Sequence, residues 1–224
     1  MSVKLVVFDM AGTTVSDDNH VAKAFQKAFR ENGIDIALGS ANPLMGYHKP
    51  LAIQMLLEQS GIRHDTLFID KIHEDFENEM IDFYEYAAEV KPISGAENVF
   101  ETLKERGIRV ALNTGFSRSI ADTIVQRFQW RKKGLVDDLI GSNEVEKGRP
   151  YPFMIVKLME RAGINDPSEV AKIGDTTVDI EEGINAGCMY VVAVTTGACD
   201  RNELEKMHPT HIVNDLSEIL HILK

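Results

Sequence analysis

Polar residues suited to phosphate chemistry follow apolar runs at several points in the sequence. The first is Asp9, which comes directly after the apolar residues 5–8 and leads into a glycine turn. The four polar segments are residues 9–14, 113–115, 147–150 and 174–179. Because ligands of open parallel sheets bind beyond the carboxyl ends of the strands, we expect these segments to converge on one site.

Three carboxylates in these segments could hold a metal ion. Asp9, Asp175 and Asp179 offer hard oxygen ligands, and Mg²⁺ usually binds one or two carboxylates together with water and a substrate phosphate. Three carboxylates without a cation would repel a phosphoryl group. We therefore predict Mg²⁺ as the cofactor.

The remaining polar groups suit a phosphoryl group directly. Thr114 and the backbone amides after Asp9 can donate to phosphoryl oxygens, and the planar fork of Arg149 matches phosphate geometry. Asp9 is then the predicted nucleophile, and its attack forms an aspartyl-phosphate. These groups predict an enzyme that transfers the phosphoryl group of a small molecule.

Strands that alternate with helices of about ten residues predict how these residues are positioned. Apolar runs predict strands at residues 4–8, 109–113, 138–140, 170–173, 190–194 and 211–213. The pattern indicates an α/β fold, a Rossmann-like doubly wound parallel sheet. Residues 16–90 lack strand patterns, so we predict a helical cap domain inserted after strand 1, with residues 1–15 and 91–224 forming the core domain.

Helical spacing within the predicted cap indicates three helices. The third has an apolar face that could serve either the cap core or a homodimer interface. The residues of that face are Leu67, Ile72, Phe76, Met80, Phe83 and Ala87.

Composition excludes several classes of partner. The 224 residues carry a formal charge of −11, which argues against a nucleic-acid surface. We expect no membrane span and no secretory leader, because the apolar runs are too short. Two cysteines give no disulfide framework, so we predict a cytoplasmic protein.

Taken together, the four motifs resemble those of the haloacid dehalogenase superfamily. The shared order is Asp-x-x-Gly-Thr, Thr-Gly, a cation before Pro, and Gly-Asp-x-x-x-Asp. The resemblance covers the whole core, and the helical insertion after strand 1 is similar to that superfamily's helical cap.

Within the superfamily, the sequence resembles the phosphonatase family, which hydrolyses a C–P bond. The shared motifs are Asp-x-Ala-Gly-Thr-Thr at residues 9–14, Met-Gly-x-x-Lys at 45–49, Gly-Arg-Pro-Tyr-Pro at 148–152 and Gly-Asp-Thr at 174–176. The resemblance implies that Lys49 forms a Schiff base with a substrate aldehyde. It implies a Mg²⁺ site that adds the Ala11 carbonyl to the carboxylates, and substrate contacts from Gly12, Thr13, Gly115 and Met45.

Ala11 and Lys49 support one chemical argument. Superfamily phosphomonoesterases are known by an Asp two residues after the nucleophile, where this chain has Ala11. General acid catalysis contributes about 10²- to 10⁴-fold, so an ester substrate would be handicapped by that alanine. A Schiff base on Lys49 removes the need for a proton donor at position 11, because C–P cleavage then releases an enamine.

Two departures from the phosphonatase pattern leave the substrate open. Ala52 stands where that family has a histidine, and Phe116 where it has a tyrosine. One alternative is a phosphomonoesterase of the phosphoglycolate phosphatase type. A second is a non-catalytic domain that binds a phosphoanion or a partner protein.

Overall fold

The computed structural model describes residues 2–223, and within them six parallel strands form one sheet. The strands are β1 (Leu5–Phe8), β2 (Arg109–Thr114), β3 (Asp138–Gly141), β4 (Val170–Gly174), β5 (Tyr190–Val194) and β6 (His211–Val213). Their order is β3-β2-β1-β4-β5-β6, so the chain extends in one direction from β1 and then, beginning with β4, in the other. The predicted Rossmann-like doubly wound sheet is confirmed.

Helices cover both faces of the sheet, which explains why β1 is continuously apolar. The helices after the insertion are α4 (Ala96–Glu105), α5 (Arg118–Arg127), α6 (Phe153–Ala162), α7 (Thr177–Ala186), α8 (Arg201–Lys206) and α9 (Ile219–Ile222). Short 3₁₀ helices span Ser142–Glu144, Pro167–Glu169 and Leu216–Glu218. Phe8 packs edge-on against Phe100 of α4 at 5.1 Å between ring centroids. Leu5 and Val7 face the opposite side, where α6 packs.

Three further helices lie between β1 and α4, and we refer to them as the helical insert. They are α1 (His20–Glu31), α2 (Lys49–Gln59) and α3 (Thr66–Tyr86), with a 3₁₀ helix at Leu38–Leu44. α3 packs against α1 and α2 within the insert and against α5 of the core.

The apolar face predicted for the third helix is correct at its centre and wrong at its ends. Ile72, Phe76, Met80 and Phe83 are buried inside the protein. Leu67 is 78% exposed, because it lies in the first turn of α3, before the packed stretch. Ala87 lies beyond the last helical residue. The buried face packs within the chain, and the homodimer stays a prediction.

The insert leaves and rejoins the core where two short segments run side by side. Val15 forms an isolated antiparallel bridge with Pro92. The next residue, Ser16, donates its amide to the carbonyl of Lys91 at 2.9 Å and accepts the Lys91 amide through its hydroxyl at 3.0 Å. These contacts lie at the predicted boundaries of the cap domain, and the division into two domains stays a prediction.

Cys188 and Cys199 are both free thiols. Among the described residues, none of the helices combines the length and the apolar character that crossing a membrane requires.

Candidate active site

Three buried carboxylates meet where the strand order reverses. Asp9 follows β1 and Asp175 follows the neighbouring strand β4, and the Asp9 amide donates to the carbonyl of Ile173 at 2.9 Å. Asp179 lies in the first turn of α7. Each carboxylate offers one oxygen within 4.8 Å of the others. The convergence expected for these strand ends is therefore present for all three acids.

Close backbone approach holds the Asp175 side chain. The Thr13 hydroxyl donates to Oδ1 at 2.8 Å, and the Ala198 amide donates to Oδ2 at 2.8 Å. A Cβ atom at Gly197 would lie 1.9 Å from that same Oδ2, so only glycine fits. Our sequence reasoning missed Gly197 and Ala198; the available signal was the glycine that follows the end of β5.

A capping box positions Asp179. The side chains and backbone amides of Thr176 and Asp179 exchange hydrogen bonds at the start of α7. This arrangement occupies Oδ2 of Asp179. Its Oδ1 lies 3.0 Å from Arg149 and 2.8 Å from Lys172.

Arg149 is fully engaged by protein groups. Its Nη1 contacts Oδ1 of Asp9 at 2.7 Å and Oδ1 of Asp179 at 3.0 Å. Its Nη2 donates to the carbonyl and side-chain oxygens of Asn113, and its Nε donates to Glu182 at 3.0 Å. A guanidinium has five N–H donors; Arg149 makes four hydrogen bonds in these contacts, and its contact with Asp179 is an ion pair. Arg149 thus orients the carboxylate of Asp9.

A second buried cation, Lys172, was not predicted. Its Nζ donates to Asn113 Oδ1 at 2.6 Å and lies 3.4 Å from Glu182. The Asn113 amide in turn donates to both oxygens of Glu182 at 2.9 Å. Lys172 and Glu182 are completely buried. The signal that could have found them was a lysine inside an apolar strand and an acid on the inner face of α7.

The charges of this cluster do not balance. Asp9, Asp175, Asp179 and Glu182 face Arg149 and Lys172, which leaves two excess negative charges if every group is ionised. Burial raises the pKa of Asp9 and of Asp175, and repulsion between the carboxylates adds to this rise. Although burial opposes it, Arg149 and Lys172 hold the pKa of Asp179 below its usual value.

This imbalance fits a divalent cation. The three carboxylates supply hard oxygen ligands at the density that Mg²⁺ accepts, and a bound cation would remove the mutual repulsion that raises the pKa of Asp9 and Asp175. The donor set contains no thiolate or imidazole, so it does not suit the softer metals.

Most of the predicted site residues line one cavity of about 270 Å³. Those lining it are Asp9, Ala11, Gly12, Met45, Lys49, Thr114, Gly115 and Asp175. Thr13 and Arg149 lie behind this lining and hold its carboxylates. Asp179 also lies behind it, where it pairs with Arg149. Thr114 stands at the end of β2, where its hydroxyl accepts the Phe116 amide at 3.2 Å.

Lys49 is buried in apolar surroundings at the first position of α2. It is 3% exposed, and its Nζ lies 5.1 Å from the ring centroid of Phe116 and 5.7 Å from that of Phe25. The amine donates to the Tyr47 carbonyl at 3.3 Å. Burial lowers the pKa of Lys49 to about 8, against the opposing charge of Asp9. The amine is therefore partly neutral near neutral pH.

The loop before Lys49 packs closely against the core at two glycines, Gly46 and Gly115. A Cβ at Gly115 would lie 2.5 Å from the carbonyl oxygens of Gly46 and Tyr47. Gly46 has φ +82°, and a Cβ there would lie 2.6 Å from Thr176 Oγ1. Glycine at both positions lets the insert loop approach the ends of β2 and β4.

Ala52 and Phe116, the two residues that depart from the phosphonatase pattern, are both buried and apolar. Ala52 is 0% exposed within the insert core, and Phe116 is 2% exposed beside Lys49. His48, the neighbour of Lys49, caps α2 and lies outside the cavity lining. Burial lowers the pKa of His48.

A family model described as haloacid dehalogenase-like hydrolase matches residues 3–187. The chain belongs to the haloacid dehalogenase-like hydrolases. It is therefore an enzyme, and the superfamily resemblance seen in its motifs is confirmed.

The names of two relatives of this hydrolase both include phosphonoacetaldehyde hydrolase. A phosphonoacetaldehyde hydrolase of Bacillus mycoides is 32% identical over 95% of this chain and 84% of its own length. A bifunctional phosphonoacetaldehyde hydrolase/aminoethylphosphonate transaminase of Clostridioides difficile is 33% identical over 92% of this chain and 34% of its own length.

Solved structures share the fold of this hydrolase. A phosphonoacetaldehyde hydrolase-like protein from Oleispira antarctica has a TM-score of 0.84 at 22% identity, over 100% of this chain and 92% of its own. A predicted phosphoglycolate phosphatase from Haemophilus somnus has a TM-score of 0.81 at 19% identity, over 100% of this chain and 99% of its own.

Proposed function

We propose that this hydrolase cleaves the C–P bond of a small phosphonate aldehyde through an imine on Lys49. The observation that carries the proposal is a buried amine with a pKa of about 8 in the same cavity as Asp9. A lysine nucleophile must be partly neutral to attack a carbonyl, and apolar burial is one way to achieve this. The names of the sequence relatives support phosphonoacetaldehyde as the first substrate to test.

The proposed cleavage needs no proton donor at position 11. The Lys49 iminium accepts the electron pair of the C–P bond, which becomes the C=C bond of an enamine as the nitrogen regains its lone pair. Asp9 accepts the phosphoryl group in the same step. Water then hydrolyses the aspartyl-phosphate, while protonation of the enamine carbon and hydrolysis of the resulting iminium release the aldehyde.

Other residues hold the reacting groups in place. Arg149 fixes Oδ1 of Asp9 at 2.7 Å, so the carboxylate presents its other oxygen to the phosphorus. The Gly12 and Thr13 amides donate to the carbonyls of Val15 and Met10, so the Thr114 hydroxyl is the proposed donor to phosphoryl oxygens. Met45 and Gly115 complete the wall.

Asp9, Asp175 and the Ala11 carbonyl are the proposed Mg²⁺ ligands, with Asp179 beside them. Bound Mg²⁺ would neutralise the carboxylates and the charge of the phosphoryl group. Chelation is expected to abolish phosphate release, and added Mg²⁺ to restore it. Asp179 is the least available of the three acids, because Arg149 and Lys172 already pair with it.

Reductive trapping tests the proposal. The protein is incubated with Mg²⁺, phosphonoacetaldehyde and borohydride, digested, and analysed by mass spectrometry. The expected result with borohydride is an adduct on Lys49. A parallel sample without borohydride is expected to release phosphate. An unmodified Lys49 under conditions of turnover would exclude the imine.

A phosphomonoesterase of the phosphoglycolate phosphatase type is the second candidate. It is favoured by the complete Asp9, Asp175 and Arg149 cluster, which does not depend on Lys49. It predicts that Lys49→Ala costs little activity. A non-catalytic domain is no longer needed as an alternative, because the family is one of hydrolases. The cytoplasmic location stays a prediction.

A further inference from the structure

Five of the described residues that line the cavity carry titratable side chains: Asp9, Asp17, Asp18, Lys49 and Asp175. Asp9 and Asp175 are held by Arg149, Thr13 and Ala198 in the phosphoryl half of the site. Asp18 is exposed. Asp17 is the half-buried acid that shares the insert side of the cavity with Lys49.

The root of the insert positions Asp17. It directly follows Ser16, which is hydrogen-bonded to Lys91 of the returning segment. Its Oδ1 accepts the Val21 amide at 3.1 Å at the start of α1. Its other oxygen makes no hydrogen bond to the described residues, so it remains available to a ligand in the cavity.

Charge and burial prepare Asp17 to exchange a proton. Burial raises the pKa of Asp17, and the nearby Lys49 ammonium acts in the opposite direction. The interaction also affects the amine. Burial lowers the pKa of Lys49, and the negative charge of Asp17 acts in the opposite direction. The two groups are thus close enough to interact electrostatically while both face the substrate space.

Other acid–base groups near Lys49 are less suited. His48 and His73 do not line the cavity. The Tyr84 hydroxyl is buried without a hydrogen-bond partner among the described residues and lies behind Phe116, with 5.8 Å between the ring centroids. Burial, followed by the Asp17 charge, raises the pKa of Tyr84 well above its usual value, so this phenol does not serve as a base.

We propose that Asp17 is the general acid–base residue that forms the Lys49 imine, an inference that rests on the proposed function. The amine adds to the carbonyl carbon, and the carbonyl oxygen takes the Asp17 proton. The Asp17 carboxylate then removes one proton from the nitrogen and delivers it to the hydroxyl group, which leaves as water as the C=N bond forms. The iminium keeps one N–H and its positive charge, and Asp17 ends as a carboxylate.

The rate of borohydride trapping with phosphonoacetaldehyde tests this role. Asp17→Asn keeps an oxygen that can accept the Val21 amide, so the start of α1 is retained. We expect trapping on Lys49 to slow by about 10²-fold, the scale of general acid–base catalysis. Asp18→Asn is the matched control, with an exposed acid one residue away, and should trap at the wild-type rate.

Chemical rescue separates proton transfer from a structural role. In Asp17→Ala, trapping should accelerate in proportion to added acetate or formate, while wild type and Asp18→Ala show no such dependence. Thermal unfolding of each variant reports any loss of fold. Asp17→Glu should recover part of the lost rate.

The outcomes distinguish this inference from the proposed function. Wild-type protein that gives no Lys49 adduct overturns both. A Lys49 adduct that forms equally fast in Asp17→Asn overturns the role of Asp17 and leaves the imine in place. A slow Asp17→Ala variant that small carboxylic acids do not rescue assigns Asp17 to structure and overturns its acid–base role.

Discussion

The two halves of the cavity bury charge in opposite ways. In the core half, each buried cation is surrounded by carboxylates, and the pKa of Arg149 is raised by Asp179 and Asp9 despite burial. In the insert half, Lys49 is enclosed by Phe25 and Phe116, and burial lowers its pKa to about 8. Burial among opposite charges keeps a group charged, and burial in apolar surroundings favours its neutral form.

This difference suits two kinds of chemistry. A fixed cluster of buried charges can hold a nucleophile and a cation at defined positions, which favours phosphoryl transfer. A partly neutral amine can attack a carbonyl. If the halves act as proposed, each can be disabled without the other.

Removal of the nucleophile should have the largest effect. In Asp9→Asn, phosphate release is expected to fall by about 10⁴-fold or more, the scale seen when a catalytic nucleophile is removed. Borohydride trapping on Lys49 should persist, because imine formation does not use Asp9. Asp35→Asn, at an acid that is 91% exposed, is the control. Loss of the adduct in Asp9→Asn would contradict the idea that the two halves of the cavity act independently.

Removal of the amine should produce the complementary loss. Lys49→Met keeps the length and apolar packing of the side chain, and we expect C–P cleavage to fall on the order of 10³-fold with no borohydride adduct. Hydrolysis of a phosphate ester without a carbonyl should fall far less, as measured by phosphate release. Lys147→Met alters an exposed lysine and serves as the control. Equal losses on both substrates would argue for a structural role of Lys49.

An acid introduced at position 11 should raise the rate at which the protein hydrolyses phosphate esters. Ala11→Asp places a carboxyl group at the cavity wall, where it can protonate an alkoxide leaving group. We expect ester hydrolysis to rise by about 10²-fold, with Ala11→Asn as a control of the same size. An increase in both variants would indicate a change in shape and exclude general acid catalysis.

The smallest effect concerns pH. In Asp17→Asn, where position 17 no longer titrates, protonation removes the reactive form of Lys49, so trapping should slow about tenfold for each pH unit below 8 and level off above it. Phe116→Ser introduces a polar group beside the amine and should move the midpoint upward, toward the ordinary lysine pKa of 10.5. A midpoint unaffected by Phe116→Ser would show that the aromatic wall does not set the pKa.

Local sequence patterns and motifs predict the strands and several of the residues that line the cavity. Asp9 and Asp175 follow predicted strands, Lys49 lies in a motif shared with the phosphonatase family, and all three line the cavity. Lys172 and Glu182 were missed, because the side chain that joins them, Asn113, is 59 residues from Lys172 and 69 from Glu182. Periodicity reports which face of an element is buried, but it does not report which buried polar groups will pair.

The Tyr47 carbonyl oxygen takes part in two contacts described above. It lies where a side chain on Gly115 would have to be, and it accepts the hydrogen bond of the Lys49 amine. One atom therefore sets both the approach of the insert loop to β2 and the position of the amine. Because Asp9 is fixed to the sheet, this contact defines how many bonds can separate the carbonyl carbon from the phosphorus in a substrate that reaches both groups. In the proposed reaction, the backbone of this loop selects substrate length, and a single methyl group at Gly115 should alter that selection.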